Sequence, residues 1–319
     1  MRIAAHFARI LWPTARLNLG WRKLLYRQLC KAGKTPDFAF SADFFGLNYE
    51  GNLNNSIEAN ILFYGAFEKP LLFFLRDTWI ALKVNADSMQ HNAFIDVGAN
   101  IGQHSLFMSN YAPQVIAFEP FAKVSQRLKH HIALNNIDNI QVVDVALSDR
   151  VENLDFYAPT GRNQGIGSFD ASTTEKGNIP SEKLALMPGD TYFATNPEYS
   201  VQLMKIDVEG FEHKVLKGLS TTLSRHRPVL VCEISYGKEH SFASLQAFRE
   251  TLPSDYQLLR FDSRNPDGSK AKKRGSKAKR TGEYRIVAFT EWRQSGQDDI
   301  IAVPKEKLDQ IPGFSGDSL

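Results

Sequence analysis

Five short runs rich in β-branched and aromatic residues, AFIDV, QVIAF, IQVVDV, VQLMKI and PVLVCEI, recur between residues 93 and 234. Stretches of helical periodicity such as FAKVSQRLKHHIAL separate them. Alternation of this kind predicts an α/β fold with a doubly wound, mostly parallel sheet. Such sheets hold ligands beyond the carboxyl ends of their strands, where the strand order reverses. Function is therefore expected just after each run, and those positions are rich in acids and glycine: Asp96 and Gly98, Glu119, Asp144, Asp207 and Glu209, and Glu233.

The remaining segments frame that unit. Ile3, Phe7, Ile10 and Leu11, then Leu17, Trp21, Leu24 and Leu25, recur at helical spacing among arginines, which predicts an amphipathic basic helix or helix pair. Residues 38–65 turn aromatic and Gly/Asn-rich, predicting short strands, and a helix is expected over about 68–83. The long interval between the third and fourth runs carries NLDFY and NQGIGSF, expected as an inserted hairpin or lid. Three further strand candidates follow the fifth run: YQLLRF, EYRIVAF and DIIAVP, two of which can close the sheet antiparallel. The expected partition is an extension over 1–90, a cofactor-binding domain over 91–305 with a basic insertion at 263–282, and a tail over 306–319.

Residues 1–36 hold eight Lys or Arg and no acid, and residues 270–280 hold seven more and no acid. Elsewhere 23 basic residues face 35 acidic ones, so the net charge of +3 describes two local segments rather than the whole. The first segment suits an anionic membrane surface or the flank of the main domain. The second reads as a mobile, hydrated loop, and without aromatic residues for base stacking it makes nucleic acid an unexpected partner. Cys30 and Cys232 form neither a disulfide framework nor a C-x-x-C site, which points to a reducing, cytoplasmic location with peripheral membrane contact as an option. No apolar run is long enough to span a bilayer.

In FIDVGANIGQHSLF the strand ends at Asp96, Gly98 is expected to let a ligand approach the backbone, and a helix is expected near Ile101. Asn100 and Gln103 also match a capping box, a purely structural role. Glu119 ends the next strand in VIAFEP, where its carboxylate can accept two hydrogen bonds from a ribose diol. Asp96, Gly98, Gly102 and Glu119 then outline an adenosine-cofactor site. The string G-A-N-I-G lacks the middle glycine of the dinucleotide fingerprint, which weakens a nicotinamide cofactor. S-adenosylmethionine fits better, with Asp96 toward its ammonium and the helix start toward its carboxylate.

In LMKIDVEGFEHKVLKG a helix is expected from about Gly210, and Asp207 and Glu209 suit either its first turn or a reacting site, where carboxylates can orient a hydroxyl, accept its proton or hold a divalent ion. Glu233 joins them or is a paired buried acid. Lys205 is expected to pair with these acids, and His104 and His213 are expected near the site without an identifiable partner, as ordinary core histidines rather than reacting groups. Motifs for zinc proteases, EF-hands, phosphate-binding loops and serine hydrolases are absent.

FIDVGANIGQHSLF, VIAFEPF, VALSD, LMKIDVEGFEHKVLKG and PVLVCEIS, in that order, closely resemble the FkbM family of S-adenosylmethionine-dependent methyltransferases over roughly residues 93–235. The resemblance implies a class I, Rossmann-like fold with a seven-stranded sheet, contacts from Asp96 to the methionine part and from Glu119 to the ribose, and an adenine wall at Asp144, Val145 and Ala146. Asn100 stands where the wider class has glycine. The resemblance also implies O-methylation of a sugar, glycan or natural-product hydroxyl, with Asp207, Glu209 and Glu233 as expected catalytic residues. The Asp-Val-Glu-Gly string after the fourth run agrees, because nitrogen-directed relatives often carry Asn/Asp-Pro-Pro-aromatic there. The rival expectation is an inactive binding or scaffold protein working through its basic segments.

Overall fold

The computed structural model describes residues 7–8, 11–12, 19–82, 91–160, 167–237, 241–265, 269 and 271–314. Ile3, Ile10 and Leu17 of the expected N-terminal helices, and 163–166 of NQGIGSF, lie outside them. The chain forms two compact units, residues 1–67 with 159–165, and residues 68–158 with 166–319.

In the smaller unit, helix α1 (Leu19–Lys31) carries the expected basic amphipathic pattern. Strands β1 (Ala39–Phe44) and β2 (Leu47–Asn52) form an antiparallel hairpin. Its turn puts both Phe45 and Gly46 at positive φ, the hand that matches the strand twist. Helix α2 (Ser56–Tyr64) starts at Asn55, whose side chain accepts from the Ile57 and Glu58 amides, and stops at left-handed Gly65.

The larger unit begins with helix α3 (Lys69–Ala81), so it starts ahead of the residue-91 boundary expected from sequence. There follow β3 (Asn92–Val97), α4 (Gln103–Met108), β4 (Gln114–Phe118), α5 (Ala122–Leu134), β5 (Ile140–Val143), β6 (Ala146–Ser148), β7 (Glu152–Ala158), β8 (Ile179–Pro188), α6 (Gly189–Thr195) and β9 (Ser200–Ile206). The chain continues through α7 (Glu212–Lys217), α8 (Ser220–His226), β10 (Val229–Tyr236), α9 (Leu245–Arg249), β11 (Tyr256–Phe261), α10 (Lys272–Thr281), β12 (Ile286–Ala288) and β13 (Gly296–Pro304).

The main sheet runs β12-β11-β13-β10-β9-β3-β4-β5. Strands β5, β4, β3, β9 and β10 are parallel, and β13 inserts antiparallel between β10 and β11. This is the class I methyltransferase order, with the reversal at β3 and β9. The sheet has eight strands rather than the seven expected, because Ile286–Ala288 adds an edge strand to β11. Both faces are covered, and the core of the parallel strands is sealed by Ile95, Val97, Ile116, Met204, Ile206, Leu230 and Cys232.

Three expectations need correction. The IQVVDV run breaks at Asp144, where the Val145 amide donates to the Val143 carbonyl at 2.8 Å, so β5 ends in the main sheet and β6 starts a separate three-stranded sheet, β6-β8-β7. NLDFY does form β7, but its main partner is β8, whose residues through Lys183 are exposed and gave no hydrophobic alternation to read. The basic stretch is helical over Lys272–Thr281 rather than an irregular loop. Lys, Arg and Ala are strong helix formers, so low complexity did not mean absence of structure. Arg274 donates to Asp262 and to the Arg264 carbonyl, and Lys69 donates to the Arg280 carbonyl at 3.2 Å.

Two glycines separate steric need from mere tolerance. Gly98 has φ +80°, and a Cβ there would collide with the Asp207 carbonyl; Gly275, inside α10, faces open space. Gly98→Ala should lower the unfolding free energy by at least about 2 kcal/mol, whereas Gly275→Ala should raise it by about 0.5–1 kcal/mol. Urea unfolding of the two variants checks both signs.

Candidate active site

The turn after β3 is assembled by hydrogen bonds from the neighbouring strand. The Gly98 and Ala99 amides both donate to the Phe118 carbonyl at 3.0 Å, and the Asp207 amide donates to the Val97 carbonyl at 3.0 Å. Gly98 is thus needed because the Asp207 backbone lies against it, a steric reason that the sequence did not show. Asn100 does not cap a helix. It adopts a left-handed conformation, φ 53°, and its Oδ1 accepts from the Ile101 amide at 2.7 Å. That conformation explains why Asn serves where glycine is usual, since Asn is among the few residues that tolerate it. Helix α4 starts at Gln103, two residues later than expected, with Gly102 as its cap at φ 83°. A Cβ at Gly102 would meet Leu128 of α5.

Glu119 follows β4 and holds this turn. Its Oε2 accepts from the Asn100 amide at 2.9 Å and its Oε1 from the Phe121 amide at 3.0 Å. Burial pushes its carboxyl up to about 7, although both amides favour the charge. Asp144 lies one residue beyond Val143, whose carbonyl accepts the Glu119 amide at 3.1 Å. The Asp144 carboxylate accepts from Lys129 at 2.8 Å and Ser125 at 3.0 Å. Val145 packs on the main core, and Ala146 packs with Leu186 and Phe211.

The second half of the site surrounds Lys205. The parallel register sets Asp96 opposite Lys205 across β3 and β9, and Lys205 opposite Val231 of β10. Glu233 pairs with Asp299 across β10 and β13. With a side-chain period of two, Asp96, Lys205, Asp207, Glu233 and Asp299 share one face. The Lys205 side chain is 5% exposed, and its ammonium lies 3.7 Å from Asp96 Oδ1 and 3.4 Å from Asp207 Oδ2. Ser105 donates to Asp96 Oδ2 at 2.7 Å.

One buried cation among several acids sets each proton. Burial alone would lower the Lys205 ammonium, but Asp207, Asp96, Glu68 and Glu233 hold it above its ordinary range. Burial works against the Asp207 charge, yet Lys205 and a hydrogen bond from Glu233 keep its carboxyl below the usual range. Glu233 is pushed up to about 12 by burial and then by the charges of Asp207 and Asp299, so it keeps its proton and donates to Asp207. Burial and Asp207 lift Asp299 to about 7. Burial also raises Asp96, partly offset by Lys205 and Ser105.

Glu209 has a left-handed backbone, φ 53°, and its charge is felt by Glu68 and Glu233. The loop that carries it is tied by Glu212, whose Oε1 accepts from the Val208 and Gly210 amides, each at 3.1 Å. Helix α7 therefore starts at Glu212 rather than Gly210. His213 is outside the cluster, its ring 5.4 Å from that of Phe242.

Sequence reasoning missed Glu68, Asp299 and Glu212 as members of this region, and placed His104 near it without a partner. Glu68 and Asp299 sit far from the motifs in sequence and reach the cluster only through the fold. Glu212 was legible in the E-G-F-E string as an acid spaced to cap its own loop. Among the described residues, no group of three His, Cys, Asp or Glu is arranged to hold a metal ion.

The Methyltransferase FkbM domain matches residues 96–261, just over half of the chain. The chain belongs to the FkbM methyltransferase family. Methyltransferase 1 of Beauveria bassiana is 28% identical over 142 residues, 39% of this chain and 57% of that protein. Methyltransferase sdnD of Sordaria araneosa is 27% identical over 198 residues, 53% of this chain and 76% of its own length. The crystal structure of a methyltransferase FkbM from Methylobacillus flagellatus aligns with a TM-score of 0.38 at 17% identity, covering 66% of this chain and 50% of that one. The match thus spans 57% of Methyltransferase 1 and 50% of the Methylobacillus flagellatus chain. Glu68 and Asp299 both fall outside the segment matched to the FkbM domain.

Lys205 is the test of this electrostatic arrangement. Lys205→Met leaves Asp96 and Asp207 without their cation and should lower stability by about 3–5 kcal/mol at pH 8. Without the lysine both folded-state carboxyl values rise, that of Asp96 further above its unfolded value and that of Asp207 from a starting point below it. The deficit is therefore full above those raised values and shrinks as pH falls and the acids take up protons. Urea unfolding at pH 8 and pH 5 should show the larger deficit at pH 8.

Proposed function

We propose that this protein transfers a methyl group from S-adenosylmethionine to a hydroxyl oxygen of a sugar, glycan or natural-product acceptor. The observation that carries the reading is the turn clamped by Glu119 at the strand-order reversal, within a domain of the FkbM family. The residues fit the cofactor in two respects. Each Glu119 oxygen accepts one backbone amide and keeps lone pairs for the ribose hydroxyls. Asp96 Oδ1 has no hydrogen-bond donor among the described residues, and with Asp207 it gives the floor of the site a negative field suited to a cationic ligand. Gly98, Asn100 and Gly102 shape the turn, and Asp144 and Ala146 border the adenine side.

When bound, the cofactor supplies a methyl group already activated on its sulfonium. The protein then has to orient the acceptor oxygen in line and accept its proton. Protonated Glu233 orients Asp207, while Asp207 and Glu209 face the acceptor side. No divalent ion enters this scheme. The acceptor is a small molecule or glycan, and the location is cytoplasmic. Peripheral membrane contact through the basic N-terminal segment is supported by exposed Leu19, Trp21 and Leu24 on α1 beside Arg22, Lys23 and Arg27. No helix among the described residues is long and apolar enough to cross a membrane.

Titration calorimetry should give stoichiometric, micromolar binding of S-adenosylhomocysteine, no binding of NAD, and at least tenfold weaker binding in Glu119→Ala. Label from methyl-tritiated S-adenosylmethionine should pass to members of a panel of methyl glycosides. A folded protein that binds no adenosyl ligand overturns the reading.

A further inference from the structure

Glu68 occupies the N-cap of α3 in a left-handed conformation, φ 48° and ψ 41°, followed by a proline in the first turn. Non-glycine residues adopt that conformation only at a steric penalty, because the Cβ crowds the following carbonyl oxygen. A helix cap could offset it, but the Glu68 side chain makes no capping hydrogen bond. Its carboxylate instead lies toward α4, with Oε2 3.8 Å from His104 Nε2. The His104 side chain is only 8% exposed, and its Nε2 has no hydrogen-bond partner among the described residues. A buried polar nitrogen without a partner is costly and calls for an explanation.

The gap itself supplies one. At 3.8 Å the two atoms are too far apart for a direct hydrogen bond, but an oxygen atom about 2.8 Å from each would bridge them and give His104 Nε2 the partner it lacks. Glu68 is the open side of this arrangement: its side chain is 36% exposed, while Lys205 beneath is 5% exposed. His104 is two residues past Gly102, so the gap adjoins the turn read above as the cofactor site.

We propose that Glu68 is the catalytic base that accepts the proton of the acceptor hydroxyl, and that His104 is the positioning residue that fixes the acceptor oxygen beside it. The proposal rests on the methyl-transfer reading. The acceptor oxygen sits between Glu68 Oε2 and His104 Nε2 and gives its proton to Glu68. As it does so, one of its lone pairs forms the new O–C bond, and the S–C bond breaks with its electron pair going to sulfur. The products are a methyl ether, a neutral thioether and a protonated Glu68, which returns its proton to water through its exposed side.

The charges facing Glu68 come from every packed element: Asp299 on β13, Lys205 on β9, and Asp207 and Glu209 in the loop after it. Burial first, then Asp299 and Asp207, raises its carboxyl to about 8, which makes it a stronger base than Asp207. Burial and Lys205 hold His104 well below its ordinary value, so the ring stays neutral while Glu68 titrates. Because Glu68 must be ionised to accept a proton, turnover should rise with pH and level off above about 8.

The test uses the full chain labelled with ¹³C-histidine and needs no ligand for its first part. In the wild-type protein the His104 ring resonance should move with a midpoint near pH 8; in Glu68→Gln that inflection should vanish, and in Glu68→Asp an inflection should remain. Calorimetry with S-adenosylhomocysteine should give affinities within twofold for wild type and Glu68→Gln. With a methyl glycoside as probe acceptor, the wild-type rate should climb toward pH 8, whereas Glu68→Gln should be about 100-fold slower and flat. A His104 resonance that titrates identically in both proteins, or superimposable pH profiles, overturns the proposal. Failure of wild type to bind S-adenosylhomocysteine would instead overturn the methyl-transfer reading, because the resonance reports the pair without any ligand.

Discussion

A single buried ammonium, that of Lys205, is the interaction on which the rest of this molecule depends. Taking a charge out of water is expensive unless it is paired, and Lys205 is paired from several directions, by Asp96 on β3, Asp207 beyond its own strand, and the fields of Glu68 and Glu233. Those partners come from different strands and from α3, so the pairing is satisfied only when β3, β9 and β10 stand in the observed parallel register. The same register forces the Asp207 backbone against Gly98, and the turn after β3 takes its shape from that contact.

The site divides into two poles around this centre. At one, Glu119 uses a carboxylate oxygen on each of two backbone amides to hold a turn whose left-handed Asn100 and Gly102 leave little conformational choice. At the other, carboxyl groups whose proton affinities are spread from below the ordinary range at Asp207 to about 12 at Glu233 lie within one another's field. A set of acids with separated proton affinities can donate, accept and orient at one pH, which identical exposed carboxylates cannot do. The first pole lies within the segment matched to the FkbM domain, while Glu68 and Asp299 at the second lie outside it.

Much of the first pole was legible in the amino-acid sequence, because its signals are local. AFIDV and QVIAF are buried strands read as apolar runs, and the acids and glycines that follow them stand beside their strands in the chain. What local signals could not carry was the reason for each residue: Gly98 answers to Asp207, more than a hundred residues away, and Asn100 to a backbone conformation rather than a helix cap. The second pole was half legible. Asp207 follows β9 directly and Glu233 stands in the apolar run of β10, but Glu68 looks like any surface acid before a helix, and Asp299 becomes relevant only through its antiparallel pairing with Glu233. β8 escaped notice because most of its side chains face water, and α10 because a lysine-rich string carries helix propensity without an apolar stripe.

The central claim is that the turn held by Glu119 and the acids around Lys205 are two sides of one methyl-transfer site. The most direct measurement is a crystal structure of the protein with S-adenosylhomocysteine. The account predicts both ribose hydroxyls within hydrogen-bond distance of Glu119, the amino-acid part over residues 98–102, and the sulfur facing the gap between Glu68 and His104. A ligand bound elsewhere, or one whose sulfur faces away from that gap, would contradict it.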